Sequence, residues 1–425
     1  MAKDNILIFP AGTEISFEIF NALKNSKFVT LFGGTSIDDH SLMVYERIIT
    51  GFPFVDDPDF IPFLNKIIDK YDIDYVYPAH DSVVMNLTEN REKINANIIT
   101  TELETVEICR SKEKTYKYLK DENFIPEIYS ACECKKFPVF LKPKVGQGSK
   151  GARIIWSKEE LKIYYTDTDI ICEYLPGEEI TVDCYTGCRN ELKVISPRSR
   201  LRIRNGIAVK SENIKLTDEI RQIAEIINSR FKFLGAWFFQ LKRDSADNYK
   251  LLEISPRIPG TMGLSRNRGI NFPLLSIYAN KGIDCSIITN DYSIVLDRAF
   301  INRYKLNINY NKVYVDLDDT LIINEKINVT LMSYLYQCIN KNISIFLLTR
   351  HAKNVDATLK KHKISKEIFE NIYHIGSAKS KAEYIDPKNS IFIDDSFAER
   401  NDVKNKLGIY VFDIDMIECL IDWRK

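Results

Sequence analysis

The chain is 425 residues long, with Lys plus Arg and Asp plus Glu both totalling 59 and a formal net charge of zero. That length exceeds what one hydrophobic core usually organises, so roughly two to four domains are expected, and the charge balance removes any global electrostatic case for nucleic acid or an anionic membrane surface. No apolar run reaches the roughly 18 residues of a membrane span, Met1–Asn5 shows no basic region leading into an apolar stretch, and the nine cysteines are scattered without CxxC spacing, so a cytoplasmic protein with reduced thiols is expected.

From the amino terminus, the apolar run Asn5–Phe9, a helical pattern over Ile15–Asn25, the run Phe28–Phe32, a helix over Phe60–Tyr71 and the run Tyr75–Pro78 alternate in βαβ rhythm. This predicts an α/β multidomain chain that begins with a Rossmann-like domain, a parallel sheet flanked by helices, over residues 1–110. The turn Pro10–Thr13 holds a single glycine and reads as an ordinary strand-to-helix turn. A helix start at Ser111 opens a second, α+β domain over residues 111–290, strand-rich with helices interposed. Within it, the strand from Phe137 ends in Lys142 and runs into a loop carrying Gly146, Gly148, Ser149 and Gly151. Glycines let backbone NH groups approach phosphates closely, and the lysine adds a point charge.

Two further strands, Ile170–Leu175 and Glu179–Asp183, hinge at Pro176–Gly177. Farther along, Phe239–Leu241 and Leu252–Arg257 flank the turn-like stretch Asp244–Asn248. With Asp244 opposite Tyr249, such a hairpin sets Gln240 directly across from Glu253, and Ser255 shares their face. Oxygen ligands then converge where a hard cation such as Mg²⁺ would be held.

These elements, in this order, resemble the ATP-grasp superfamily, and most of all the ligases related to the large subunit of carbamoyl phosphate synthetase, over roughly residues 1–290. The resemblance implies ATP with Mg²⁺, or Mn²⁺ in its place, as cofactors. It implies that Lys112 and Lys142 contact the phosphates, that the loop with Gly148 and Ser149 closes over them, and that Glu173, Tyr174 and Leu175 meet the adenine. By the same analogy Glu179 binds the ribose, Gln240 and Glu253 hold the metal with Ser255, and Arg257 stabilises the transferring phosphoryl group. Cys172 and Ser255 depart from the family pattern, which usually has an acidic or amide residue at the first position and asparagine at the second.

The segment Arg198–Arg204 alternates arginines with Ser199, Leu201 and Ile203, so one β-strand would line up Arg198, Arg200, Arg202 and Arg204 on one face. At about 3.3 Å per residue the row would span roughly 20 Å, and bidentate carboxylate binding is the natural use of such guanidinium groups. Arg198, Arg200 and Arg202 are therefore the expected substrate ligands.

A polar connector over residues 291–312 precedes a fresh βαβ rhythm at Val313, giving a third domain over 313–425. Its apolar strands end in Asp316 and Asp318, in Thr349, and in Asp394 and Asp395; strand ends so furnished build a crevice for magnesium and phosphate. This set resembles the capless haloacid-dehalogenase-like phosphatases, a Rossmannoid fold. The resemblance implies Asp316 as nucleophile, Asp318 as general acid and base, Thr349 as phosphoryl ligand, Lys381 or Lys379 as compensating charge, and Asp394 with the other two aspartates around Mg²⁺.

The expectation is a bifunctional enzyme: a ligase joining a small-molecule carboxylate to an amine through an acyl phosphate, with a phosphatase acting on the amine precursor or the conjugate. A nucleotide-sugar substrate, a homodimer, a pure kinase, and a catalytically silent carboxy-terminal domain all remain open on the sequence.

Overall fold

The computed structural model describes residues 3–146, 148, 150–376 and 378–424, so Ser149 of the expected phosphate loop lies outside the described residues. The chain divides into two compact units, Met1–Phe300 and Ile301–Lys425.

The first unit begins with β1 (Asp4–Phe9), β2 (Val29–Gly34), β3 (Ile48–Ile49), β4 (Tyr75–Pro78) and β5 (Asn97–Ile98). They form one parallel sheet in the order β3-β2-β1-β4-β5. The central strand reads as an unbroken apolar run because both its faces are covered: Ile6 and Ile8 join one core cluster, and Leu7 and Phe9 join the other. Helix Glu14–Leu23, capped by the Thr13 side chain accepting from the Ser16 NH, closes the first face; helix Phe60–Tyr71 closes the second. Beyond β4 the chain turns at His80 into helix Asp81–Glu89, which leaves Asp81 at the carboxyl end of the sheet, where open α/β sheets present their ligands.

A second, antiparallel sheet contains β6 (Ile128–Tyr129), β7 (Val139–Pro143), β8 (Arg153–Ile155) and β9 (Asp169–Glu173), ordered β6-β9-β7-β8. A third has β10 (Glu179–Thr186), β11 (Leu192–Ser199), β14 (Gly235–Arg243) and β15 (Tyr249–Ser255), ordered β11-β10-β14-β15. Helix Asp218–Arg230 packs Ile220, Ile223, Ala224 and Ile227 on that sheet at helical spacing, over a fully buried Trp237 stacked 4.0 Å from Phe233. A small sheet joins β12 (Arg202–Arg204), β13 (Ile207–Glu212) and β16 (Val295–Asp297).

Two expectations need correction here. Arg243, not Asp244, pairs with Tyr249, and an irregularity between Gln240 and Leu241 then restores Gln240 opposite Glu253. Asp244 is a turn residue: its carboxylate accepts from the NH groups of Ala246 and Asn248, each at 2.9 Å. One extra residue in β15, Leu252, absorbs the offset as a bulge. The arginine row is also broken, since β11 ends at Ser199 and Arg202–Arg204 enters a different sheet. Aligned guanidinium groups repel, and the break lets each of three find its own acid: Arg198 with Asp183, Arg200 with Glu179 and Arg202 with Asp297.

The second unit has β17 (Lys312–Val315), the short pair β18 (Ile322–Ile323) and β19 (Lys326–Ile327), β20 (Ser344–Thr349), β21 (Asn371–His374), β22 (Ser390–Ile393) and β23 (Tyr410–Phe412). Its five-stranded sheet is parallel in the order β21-β20-β17-β22-β23. With β17 between β20 and β22, the carboxyl ends that carry Asp316, Thr349 and Asp394 are neighbours. Between β17 and β20 the chain forms only the β18–β19 pair and helix Val329–Asn340. No helix of the described residues is long and apolar enough to cross a membrane.

Candidate active sites

Sheets two and three of the first unit enclose a cavity of about 220 Å³ whose wall includes Lys112, Lys142, Gly148, Glu173, Tyr174, Leu175, Glu179, Gln240 and Glu253. Lys142, at the end of β7, is buried, and its Nζ donates to the Tyr116 hydroxyl at 2.7 Å and the Leu252 carbonyl at 3.3 Å. Burial pushes its ammonium below the usual lysine value, since a desolvated charge is disfavoured. Lys112 reaches the Gly146 carbonyl at 3.3 Å and lies 3.7 Å from the Glu253 carboxylate. Gly148, with φ +60°, rests on the Asn205–Gly206 turn between β12 and β13. A Cβ on Gly206, whose φ is +75°, would come within 2.3 Å of the Gly148 backbone, so that contact requires glycine.

A second cavity of about 390 Å³ adjoins the first and shares Lys112, Gly148, Arg200, Gln240 and Glu253 with it. Ser255 and Arg257 line this one, opposite Asp81 from the amino-terminal sheet. Asp81 accepts from Arg257 Nε at 2.7 Å, Arg257 Nη2 at 2.8 Å and the Ser255 hydroxyl at 3.2 Å. Burial alone would raise the Asp81 carboxyl, but the Arg257 guanidinium overrides it and holds it well below the carboxylate range. Gln240, Glu253 and Ser255 thus line one cavity together, and their hydroxyl, amide and carboxylate oxygens suit a hard divalent cation. Of the arginines expected to bind substrate, only Arg200 faces a cavity. Arg198 is 1% exposed, with its Nε and Nη2 locked on Asp183 at 2.9 and 3.1 Å, and Arg202 is an exposed partner of Asp297 at 2.6 Å. Burial and surface pairing, respectively, take these two out of the expected substrate set.

In the second unit, Lys381 bridges Asp316 at 2.7 Å and Asp394 at 2.6 Å, with all three side chains buried. Lys379 instead lies over the Tyr384 ring, which separates the two lysines that the sequence left undivided. Burial, reinforced by Asp394 and countered by Lys381, raises the Asp316 carboxyl to about 7. Burial likewise raises Asp394, whereas the two carboxylates keep the Lys381 ammonium above its usual value although burial alone would lower it. Asp316, Asp394 and Asp395 bring one oxygen each within 4.8 Å of one another. Thr349 is fully buried at the end of β20, where its hydroxyl accepts from the His351 NH at 3.1 Å. Asp318 stands 2.8 Å from His351 Nδ1, and His351 Nε2 lies 2.7 Å from the Thr358 hydroxyl.

Sequence reasoning did not single out Asp81, Tyr116, Arg298 or His351. Asp81 carried a usable signal, an acid at the first turn after a parallel strand; Tyr116 and His351 are placed by Lys142 and Asp318, 26 and 33 residues away.

Residues 166–295 match a family model described as an ATP-grasp in the biosynthetic pathway with the Ter operon. The carbamoyl phosphate synthase large chain of Clostridium acetobutylicum is 21% identical over 45% of this chain and 20% of its own length, so the chain spans about one fifth of that relative. The biotin carboxylase domain dimer of the Hydrogenobacter thermophilus 2-oxoglutarate carboxylase, solved with MgADP and bicarbonate, superposes with a TM-score of 0.58 at 13% identity, covering 69% of this chain and 74% of that one. The L-amino acid ligase of Bacillus licheniformis gives 0.53 at 17% identity, covering 66% and 75%. Together with the cavity between two antiparallel sheets, these likenesses give the first unit the fold of the carboxylase and ligase structures it superposes on, with residues 166–295 similar to an ATP-grasp family.

Proposed function

We propose that the first unit is an ATP-dependent, ADP-forming ligase that joins a carboxylate to an amine, and that the second is a phosphomonoesterase of the haloacid-dehalogenase kind. The observation that carries the first reading is the pair of adjoining cavities meeting at Gln240 and Glu253: one fits a nucleotide, the other an acceptor, and the oxygen-lined face lies between them. A carboxylate oxygen in the larger cavity attacks the γ-phosphorus, the bond to the β-phosphate oxygen breaks, and ADP departs. The amine then attacks the acyl carbon, phosphate leaves and the nitrogen loses a proton. Mg²⁺ held by Gln240, Glu253 and Ser255 would neutralise phosphate charge. Lys142 and Lys112 offset charge on the nucleotide, while Arg257, fixed by Asp81 on one edge, offers its remaining donors to the transferring group.

In the second unit, the convergence of Asp316, Lys381 and Asp394 supports an aspartyl-phosphate route. Asp316 attacks phosphorus, Thr349 and Lys381 hold the phosphoryl oxygens, and Asp318 protonates the departing alkoxide. Asp316, Asp394 and Asp395 would hold a divalent cation, which would balance the charge of the phosphoryl group. The phosphomonoester is the amine precursor or the conjugate, with a nucleotide-sugar among the candidates.

The test is ADP release from ATP·Mg²⁺ with carboxylate and amine pairs, followed by mass spectrometry of the product, alongside hydrolysis of p-nitrophenyl phosphate. ADP release that never depends on an amine refutes the ligase; hydrolysis that survives Asp316→Asn refutes the phosphatase.

A further inference from the structure

The larger cavity carries positive charge that phosphoryl transfer leaves unused. Its wall holds six Lys or Arg against three Asp or Glu. Part of that excess belongs to the nucleotide end, because Lys112, Lys150, Arg200 and Glu253 line both cavities. Arg257, on the same wall, is satisfied by Asp81. Two arginines remain: Arg110, the last residue of helix Leu103–Arg110, and Arg298, just beyond β16.

Neither has an ion pair within 4.0 Å among the described residues. Arg298 Nη1 is buried without a hydrogen-bond partner. Glu14, across the same wall, approaches closely enough to be felt electrostatically, yet it does not pair. Arg110 is half-buried, and Asp81, an acid of the same cavity that its charge reaches, is already engaged by Arg257 and Ser255. A guanidinium presents five donors in a planar fork matched to phosphate or carboxylate, and a half-buried one without a counter-ion is stabilised by an incoming anion.

We propose that the acceptor carries at least two anionic groups: the carboxylate that receives the phosphoryl group beside Gln240 and Glu253, and a second phosphate or carboxylate held by Arg298, Arg110 or both on the wall they share. The inference rests on the ligase reading of this cavity. It also orders the two activities where the second group is a phosphate: ligation comes first, and the conjugate that leaves still bears the phosphomonoester that the Asp316 site would hydrolyse.

The experiment is calorimetric titration of the full chain, first with MgADP and then, at saturating MgADP, with 3-phosphoglycerate, succinate and glycerate. These probes are respectively a phosphorylated carboxylate, a dicarboxylate and a matched monocarboxylate. At least one of the two probes with a second anionic group is expected to bind about tenfold tighter than glycerate, as one charge-assisted contact allows, and the favoured one tells phosphate from carboxylate recognition. Arg110→Gln and Arg298→Gln together should erase that preference while keeping MgADP affinity, which also shows that the variants are folded. Equal binding of all three probes, no binding of 3-phosphoglycerate or succinate, or a preference that survives both substitutions overturns the inference and leaves the ligase reading standing. No binding of MgADP overturns the reading itself and the inference with it.

Discussion

Removing the Asp81 carboxylate should both loosen the first unit and release Arg257. Asp81 and Arg257 are 16% and 15% exposed and meet through two parallel hydrogen bonds of 2.8 and 2.7 Å. At a charge separation of about 4 Å and an effective dielectric near 20, their Coulomb attraction is about 4 kcal/mol, and taking away one partner of a buried pair costs about 3–5 kcal/mol because the other is stranded. Asp81→Ala would leave Arg257 with its hydrogen bond to the Ile258 carbonyl at 3.2 Å and the face of Phe238, 5.3 Å from its guanidinium carbon. Urea unfolding followed by tryptophan emission, with Trp156 and Trp237 as reporters in this unit, should show that loss, and Asp81→Ala/Arg257→Met should cost clearly less than the two single changes together. The pH dependence has a definite sign. A depressed carboxyl pKa contributes stability that is present above the unfolded value, here the usual 3.8 of an aspartate, and lost as pH falls through the folded value. Asp81→Asn should therefore flatten the acid limb of the stability curve below about pH 4. Single-mutant costs that add to within about 0.5 kcal/mol, or an acid limb that Asp81→Asn leaves unchanged, would refute the reasoning.

Three further outcomes are expected. Lys381→Met strands two buried carboxylates and should cost about 3–5 kcal/mol in EDTA, with part of the loss recovered in millimolar Mg²⁺; calorimetry showing wild-type stability in EDTA would contradict the bridge. His351→Ala frees Asp318 and should lower kcat for p-nitrophenyl phosphate by about 10- to 100-fold, the scale of an ångström-level misplacement, with KM little changed; an unaltered kcat removes any positioning role. Gly206→Val drives a side chain into the Gly148 backbone at a left-handed φ, and should raise the MgADP Kd by about tenfold or more, given roughly 1–2 kcal/mol for the strain alone; a Kd within twofold of wild type would show that the loop does not rest on that turn when nucleotide is bound.

The amino-acid sequence by itself determined whatever depends on neighbours along the chain. Unbroken apolar runs marked β1 and β17 as strands covered on both faces, and period-two alternation set Gln240 and Glu253 on one face of a hairpin even though the turn lay one residue from its expected place. A bulge at Leu252 corrected the offset, so the facing pair was reached through a register that was partly wrong. Asp316, Thr349 and Asp394 were readable as strand ends for the same local reason.

Relations across long sequence separations were decided by the tertiary structure alone. Asp81 and Arg257 are 176 residues apart, and nothing in either neighbourhood announces the other. Lys379 and Lys381 are indistinguishable by composition; only the turn into Lys381–Tyr384 buries one between two aspartates and leaves the other over a tyrosine ring. Arginine alternation over 198–204 satisfies the rule for a strand, yet the chain breaks there because four aligned guanidinium groups repel, while separate acids on β10, at its start and beside β13 each offer a partner. Periodicity is a property of the backbone and is written locally; which charge ends up opposite which is set by packing, and the lower energy of paired buried charges selects among foldings that the local pattern alone leaves equal.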